Sequence, residues 1–341
     1  LEKVYYISKI WLGDIMLTAV ITGVAGQDGS YLAELLLNKE YSVVGITRRL
    51  SANRKYGNIS HLIDLENFKL IEGDICDTTL VSRVLHSYRP HEWYNLAAMS
   101  HVGQSFKEPL STFDIDARAV IGQLESIRQI SPYTRFYQAS TSELFGGVGC
   151  PKEGYDESST FNPRSPYAIA KLAAYWAVRN YRTAYNLFAC NGILHNHSSP
   201  RRGVDFATRK ITRGVASVKL GLQDSLQMGN LSPFRDEGHS KDYCKAMYLM
   251  LQQEFPSDYV VATGTGATIE EMFRYACSLA ELNFEDVYEV DERFMRPSEV
   301  PFLLGNPSKI MRDLGWKPEY SWKMLLKEMY ENDLRELQER L

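Results

Sequence analysis

An α/β fold, a doubly wound parallel sheet with a smaller, loop-rich α/β region towards the C-terminus, is the class this sequence predicts. Three observations predict it. Short apolar, β-branched runs alternate with amphipathic stretches from residue 17 to about residue 140, the rhythm of a parallel sheet covered by helices. A glycine-rich turn joins the first run to the first helix. Near residue 190 the rhythm breaks into longer loops rich in Pro, Gly, Arg and His.

Each element follows from its residues. LTAVIT (17–22) is a first strand that meets Gly23, and 29–38 is a helix with Leu32, Leu35 and Leu36 on one face. SVVGI (42–46) and FKLI (68–71) are the second and third strands, and 78–88 is helical. EWYNLA (92–97) is a fourth strand, followed by a helix over about 112–130 and the strand RFYQAS (135–140). NHSSPRRG (196–203) opens the second region, with smaller helices, a late strand DYVVATG (258–264) and a C-terminal helix from about 321. Residues 16–190 are expected to form a Rossmann-like cofactor domain, which 258–264 rejoins, and 191–341 mainly a substrate-binding domain. Met16 is read as the natural start, with 1–15 an upstream or vector-derived leader.

Composition narrows the function. The chain has 341 residues, 44% apolar and 23% charged, which suits a folded enzyme with a sizeable core and not a disordered chain. Lys plus Arg is 38 against Asp plus Glu 42, a net charge of −4, so no global basic field gathers nucleic acid or an anionic membrane. No apolar run reaches the roughly 20 residues needed to span a bilayer. Five cysteines without a C-x-x-C fit neither a disulfide framework nor a zinc site and point to a reducing, cytoplasmic compartment.

Gly23-x-x-Gly26-x-x-Gly29 stands directly after a strand and before a helix. Glycines there let backbone N–H groups approach a pyrophosphate at a helix N-terminus. Where an NAD-preferring fold carries an acid, after the second strand, this chain has Thr47, Arg48 and Arg49. Guanidinium groups pair with a 2′-phosphate, so NADP is favoured. Asp74 in EGDI suits an acceptor for the adenine amino group and equally an N-cap for the following helix. LAAMS (96–100) puts small side chains after the fourth strand, so that a cofactor can lie against the backbone.

Tyr167-x-x-x-Lys171 places a phenol and an ammonium on one helix face, where the cation can lower the phenol's pKa. The chain has 21 tyrosines, and Tyr5 also has a lysine four residues on, so position decides: Tyr167 opens a helix beyond the strand 135–140. Ser140-Thr141-Ser142-Glu143 ends that strand, with a hydroxyl and a carboxylate at the edge where ligands sit. The same cluster also suits a capping turn. Arg201, Arg202, Arg235 and Arg296 fall in Pro/Gly-rich contexts of the second region and suit a diphosphate. His195-x-His197 lacks a nearby third ligand, so no metal is expected.

This set, GxxGxxG, STSE and YxxxK, resembles the extended short-chain dehydrogenase/reductase family of nucleotide-sugar enzymes. More narrowly, segments such as TGVAGQDGSYLAELLL (22–37), LAAMSHVGQSF (96–106), FYQASTSELFG (136–146), NPRSPYAIAKLAAYW (162–176) and NGILHNHSSPRRG (191–203) resemble its GDP-mannose 4,6-dehydratase branch. GNLSPFRDEGHSKDY (229–243) and RPSEVPFLLGNPSK (296–309) continue the match in colinear order. The resemblance implies that Thr141, Glu143, Tyr167 and Lys171 are catalytic. It implies a cofactor lined by Gly23, Gly26, Gln27, Asp28, Gly29, Arg48, Arg49, Asp74, Ile75, Leu96, Ala97, Ala98, Ser100, Tyr167, Lys171, His197 and Arg202. It implies a substrate, GDP-mannose, held by Asn196, Lys210, Gly229, Arg235, Arg296 and Glu299.

The reaction so implied is a hydro-lyase's: oxidation at C4, loss of water across C5 and C6 through Glu143, and return of the hydride to C6 by bound NADP. Alternatives are a 4-epimerase or a 4-keto sugar reductase on the same fold. A catalytically silent NADP-binding sensor is an alternative of another class. Helices near 112–130 and 167–184 imply a homodimer, and RRLSANRKYG (48–57) resembles a loop that would join dimers into a homotetramer. Two positions depart from the family: Phe113 stands for a usual Tyr, and Glu237 for a usual Trp.

Overall fold

The computed structural model describes residues 16–48, 56–295 and 298–341. The leader, Arg49, Arg296 and most of the 48–57 stretch lie outside the described residues. In chain order the elements begin β1 (Thr18–Thr22), α1 (Gln27–Leu37), β2 (Ser42–Thr47), β3 (Phe68–Glu72), α2 (Thr78–Tyr88) and β4 (Glu92–Asn95). Then come α3 (Val102–Ser105), α4 (Pro109–Phe113), α5 (Ala119–Ile130), β5 (Arg135–Thr141), α6 (Pro166–Tyr185), β6 (Ala189–Leu194), β7 (Asn196–Ser198) and α7 (Ala207–Lys219). The chain continues with β8 (Leu226–Met228), β9 (Phe234–His239), α8 (Ser240–Leu251), β10 (Tyr259–Val261), β11 (Gly266–Thr268) and α9 (Ile269–Leu279). It ends with α10 (Phe284–Val287), β12 (Tyr288–Val290), β13 (Phe302–Leu303), α11 (Ser308–Leu314) and α12 (Trp322–Gln338).

The main sheet has seven strands in the order β10-β6-β5-β4-β1-β2-β3, all parallel. Its order reverses between β1 and β4, which opens a crevice beyond the carboxyl ends of the strands. Strand alternation sorts the core. Ala19 and Ile21 face one side with Leu32 and Leu36 of α1 and Met247 and Met250 of α8. Val20 faces the other with Leu80 and Val84 of α2, Leu124 of α5 and Val178 of α6. A third apolar cluster joins α7, α9 and α12. The helix expected over 112–130 is interrupted by a π-helical turn, Asp114–Arg118, which swings the buried Asp116 towards the sheet. β6 escaped the sequence reading because Asn191 and Gly192 interrupt its apolar residues, although every residue of the strand is buried. No helix among the described residues is long and apolar enough to cross a membrane.

Candidate active site

The glycine turn is built by close approach. Gly23 has a φ of +70°, and a Cβ there would lie 2.9 Å from the Ala97 nitrogen. A Cβ on Gly29 would lie 2.6 Å from the Val24 α-carbon, so the third glycine seats α1 on the turn. The Thr22 hydroxyl accepts from the Leu96 and Ala97 N–H groups, both at 3.1 Å, which fastens the β4 loop over the turn. Gly26 caps α1 without a side chain, leaving its first N–H groups directed at the crevice.

A cavity of about 630 Å³ fills that crevice. Of the expected cofactor residues, Gly23, Gly26, Gln27, Asp28, Gly29, Arg48, Asp74, Ile75, Leu96, Ala97, Ala98, Ser100, His197 and Arg202 line it. So do Thr141, Glu143, Tyr167 and Lys171, and from the substrate set Asn196 and Arg235. Lys210, Gly229 and Glu299 are not on its wall. Lys210 instead lies 3.2 Å over the Phe294 ring, and Glu299 pairs with Arg235 at 3.1 Å. Phe113 is not on the wall either and is half exposed, whereas Ile115 lines the cavity.

Several roles are reassigned by the contacts. Asp74 is not a helix cap: Asp77 caps α2 by accepting from Thr79, while Asp74 accepts from the Cys76 N–H at 2.9 Å. The Asp28 carboxylate is spent on protein groups, accepting from Ser240 Oγ at 2.5 Å and His197 Nε2 at 2.8 Å. His197 Nδ1 faces the His195 carbonyl at 2.8 Å. Both partners are acceptors, so the imidazole carries two protons. Burial opposes that charge, but Asp28 outweighs it and the His197 pKa is raised. Burial likewise opposes the Asp28 charge, yet His197 and Ser240 drive that carboxyl far below the ordinary range. Arg201 and Arg202 both line the cavity, but Arg201 is tied to α1 through Glu34 (2.6 Å) and Ser30 (3.0 Å). The Arg202 guanidinium lies 3.8 Å over the Phe206 ring, and its buried Nε has no hydrogen-bond partner among the described residues.

Around the phenol, Ser165 caps α6 by accepting from the Ala168 N–H, and Pro166 fixes the first turn. Tyr167 is thereby presented beside β5. The Thr141 side chain accepts from the Glu143 N–H at 3.2 Å and shares the cavity wall with Tyr167. Lys171 Nζ donates to the Ala139 carbonyl at 3.0 Å and sits 5.9 Å from the Tyr167 ring centre. The expected lowering of the phenol by Lys171 is not what the protein's own groups do. Burial, then Asp116, raise the Tyr167 pKa, with Thr141 pulling against them. Burial also lowers the Lys171 pKa, with Asp116 opposing it. Asp116 accepts from the Met99 N–H at 2.9 Å and went unnoticed in the sequence, because only the π-helical turn brings it here. Asn58, His101 and Phe206, which also line the cavity, carried no sequence signal. Among the described residues no group of His, Cys, Asp and Glu is arranged to hold a metal.

The family profile described as GDP-mannose 4,6 dehydratase matches residues 20–329. The chain belongs to that family. GDP-mannose 4,6 dehydratase 2 of Arabidopsis thaliana is 47% identical over 326 residues, covering 93% of this chain and 86% of the relative. The GDP-mannose 4,6-dehydratase of Vibrio cholerae is 44% identical over 351 residues, covering 93% and 94%. A dTDP-glucose 4,6-dehydratase from Streptomyces venezuelae, solved with NAD and TYD bound, superposes with a TM-score of 0.84 at 22% identity, covering 95% and 98%. The UDP-glucose 4-epimerase of Thermotoga maritima gives 0.83 at 22%, covering 94% and 100%. The fold is therefore common to dehydratases and epimerases, and family membership rests on the sequence matches.

Proposed function

We infer that the protein is a hydro-lyase that converts GDP-mannose to GDP-4-keto-6-deoxymannose and water. One observation carries the reading beyond the family match: Glu143 shares a single cavity with Tyr167 and Lys171. A Tyr–Lys pair alone suffices to oxidise and reduce an alcohol, as a 4-epimerase or reductase requires. An acid–base group beside it serves the additional loss of water.

The residues present fit a nicotinamide dinucleotide. The unpartnered Arg202 Nε suits a phosphate oxygen, and the bare turn at Gly23 and Gly29 admits a pyrophosphate against the first turn of α1. Arg48 at the end of β2 favours NADP by pairing with a 2′-phosphate. A nicotinamide held by these residues would supply a positive charge and reversible hydride exchange beside the chain's own acid–base groups.

The chain's own residues do the proton chemistry. Thr141 holds the C4 oxygen, and Tyr167, once ionised, takes its proton. Lys171, fixed by the Ala139 carbonyl, supports the phenolate. The resulting ketone acidifies the C5 hydrogen; Glu143 removes that proton and delivers one to the C6 hydroxyl, which departs as water, and C5 regains a proton as hydride reaches C6, balancing the proton that Tyr167 took at C4. Asn196 and Arg235 hold the nucleotide sugar at the far wall. Residues 16–190 supply the cofactor side and 191–341 most of the substrate side. The same reading takes a homodimer through α5 and α6, supported by the exposed Ile121, Ile169 and Trp176.

Isotope migration tests the reaction. GDP-mannose deuterated at C4 is expected to give product with deuterium in its C6 methyl group in ordinary water. An unlabelled methyl group would overturn hydride return, and with it the dehydratase reading.

A further inference from the structure

Glu237 is a buried carboxylate that no step above uses. It lies on β9 two residues beyond Arg235, so both side chains share one face of that strand. The parallel ladder sets Glu237 opposite Asn196, the neighbour of His197. Ser198 Oγ donates to Glu237 Oε1 at 2.6 Å, which uses the only proton of that hydroxyl. Thr208 therefore donates to Ser198, across 2.7 Å, from the first turn of α7, where the preceding Phe206 and Ala207 line the cavity. The relay pins a carboxylate, acting as acceptor, under the wall that carries Asn196, His197 and Arg235.

Its charged surroundings are Arg202, His197 and Arg235. Burial pushes the Glu237 carboxyl up, while Ser198 and then these three cations pull it down. Arg235 already has the Glu299 carboxylate for a partner, so Glu237 is not needed to neutralise that arginine. A buried acid kept beside groups that receive phosphate acts on those ligands through its charge.

We propose that Glu237 is a resident anion of the diphosphate sites, weakening the hold of Arg202 and Arg235 on phosphate and so setting how tightly cofactor and nucleotide sugar are retained. The proposal rests on the reading of Arg202 and Arg235 as diphosphate-holding residues. Glu237 is a positioning residue in this scheme, since it acts on ligands through the arginines.

Calorimetry of the full chain with GDP, inorganic pyrophosphate and guanosine tests it. Glu237→Gln keeps an acceptor for Ser198 and removes the charge. GDP and pyrophosphate are expected to bind roughly tenfold more tightly, the scale of one unit charge removed at several ångströms in a partly buried site. Guanosine, which has no phosphate, is expected to bind as before. Glu237→Asp keeps the charge, so it should give no tightening. Glu237→Trp is a second neutral variant should the Gln variant not fold. Unchanged or weaker pyrophosphate binding in a folded neutral variant would overturn the proposal. Wild-type dehydration of GDP-mannose is measured separately, so a working enzyme with indifferent variants would sink this inference and leave the activity standing.

Discussion

At the scale of single residues, the problem is a phenol that must act as a base while its surroundings favour the neutral form. Burial and the Asp116 carboxylate raise Tyr167, and the Lys171 ammonium is itself weakened by burial. In the proposed mechanism the positive charge that shifts the balance would come with the cofactor, which couples base strength to cofactor binding. Tyr167→Phe removes the base while keeping the ring, and turnover is expected to fall by about 10²–10⁴-fold with cofactor binding nearly intact. Near-normal turnover in the purified variant would remove Tyr167 from this role. Glu143→Gln should spare the first hydride transfer and block elimination. In single-turnover mixing, reduced-cofactor absorbance then rises and persists without dehydrated product; water loss at the normal rate would place the acid–base group elsewhere. Arg48→Ala combined with Arg49→Ala should weaken NADP⁺ far more than NAD⁺, because only the former carries a 2′-phosphate. Equal losses, read by calorimetry, would assign these arginines another task.

At the scale of elements, two buried ion pairs hold the substrate side in place. The His197–Asp28 pair joins β7 to the first turn of α1. His197, raised above its ordinary 6.5, contributes stability that is full below that value and lost as pH climbs through the native pKa. Asp28, driven below its ordinary 3.8, contributes stability present above that value and lost as pH falls through the native pKa. The two overlap fully between 3.8 and 6.5. The stability difference between wild type and His197→Gln, from urea unfolding, should therefore be larger at about pH 6 than at about pH 9. A difference independent of pH would mean that the imidazole is not held as a cation. Further out, Arg209 of α7 meets Asp333 of α12 at 2.6 Å, with Thr212 also donating to Asp333 at 2.7 Å. Asp333→Ala leaves the buried Arg209 guanidinium only Glu336, at 3.4 Å, and should cost about 3 kcal/mol in denaturant unfolding. A loss well below about 1 kcal/mol would show that Glu336 takes over the charge.

At the scale of the whole molecule, the chain leaves the sheet after β6 and returns to it as β10. Asp258, just before β10, is gripped by Arg182 of α6 at 2.7 Å and accepts from the Asn191 N–H at 2.8 Å. α8, from the C-terminal half, covers the sheet beside α1. These ties should make the two regions unfold together. Variants that keep only Trp93, in the sheet core, or only Trp322, packed against the third apolar cluster, should report one thermal midpoint by fluorescence. Two separated midpoints would show that the α7–α9–α12 layer melts alone.

What the sequence by itself determined is local in origin. Apolar runs marked β1 to β5, most of whose residues are covered by helices on both faces, and period-3.6 patterns marked α1, α2 and α6, each of which buries one face against the sheet. The Gly23 turn, the Ser140–Glu143 segment and the Tyr167–Lys171 pair were legible because their spacing is fixed by a single turn or a single helix. Tertiary structure decided everything that depends on distant chain. The π-helical turn brings Asp116 to the Met99 N–H and within electrostatic reach of Lys171, the β7–β9 ladder sets Glu237 beside Asn196, and Ser240 joins His197 in consuming the carboxylate of Asp28. Charges were countable in the sequence, but which arginine remains for a ligand was not. Both Arg201 and Arg202 line the cavity, but α1 lies within reach of the Arg201 guanidinium and holds it through Glu34 and Ser30, while Arg202 stacks over Phe206 and keeps an Nε without a hydrogen-bond partner among the described residues.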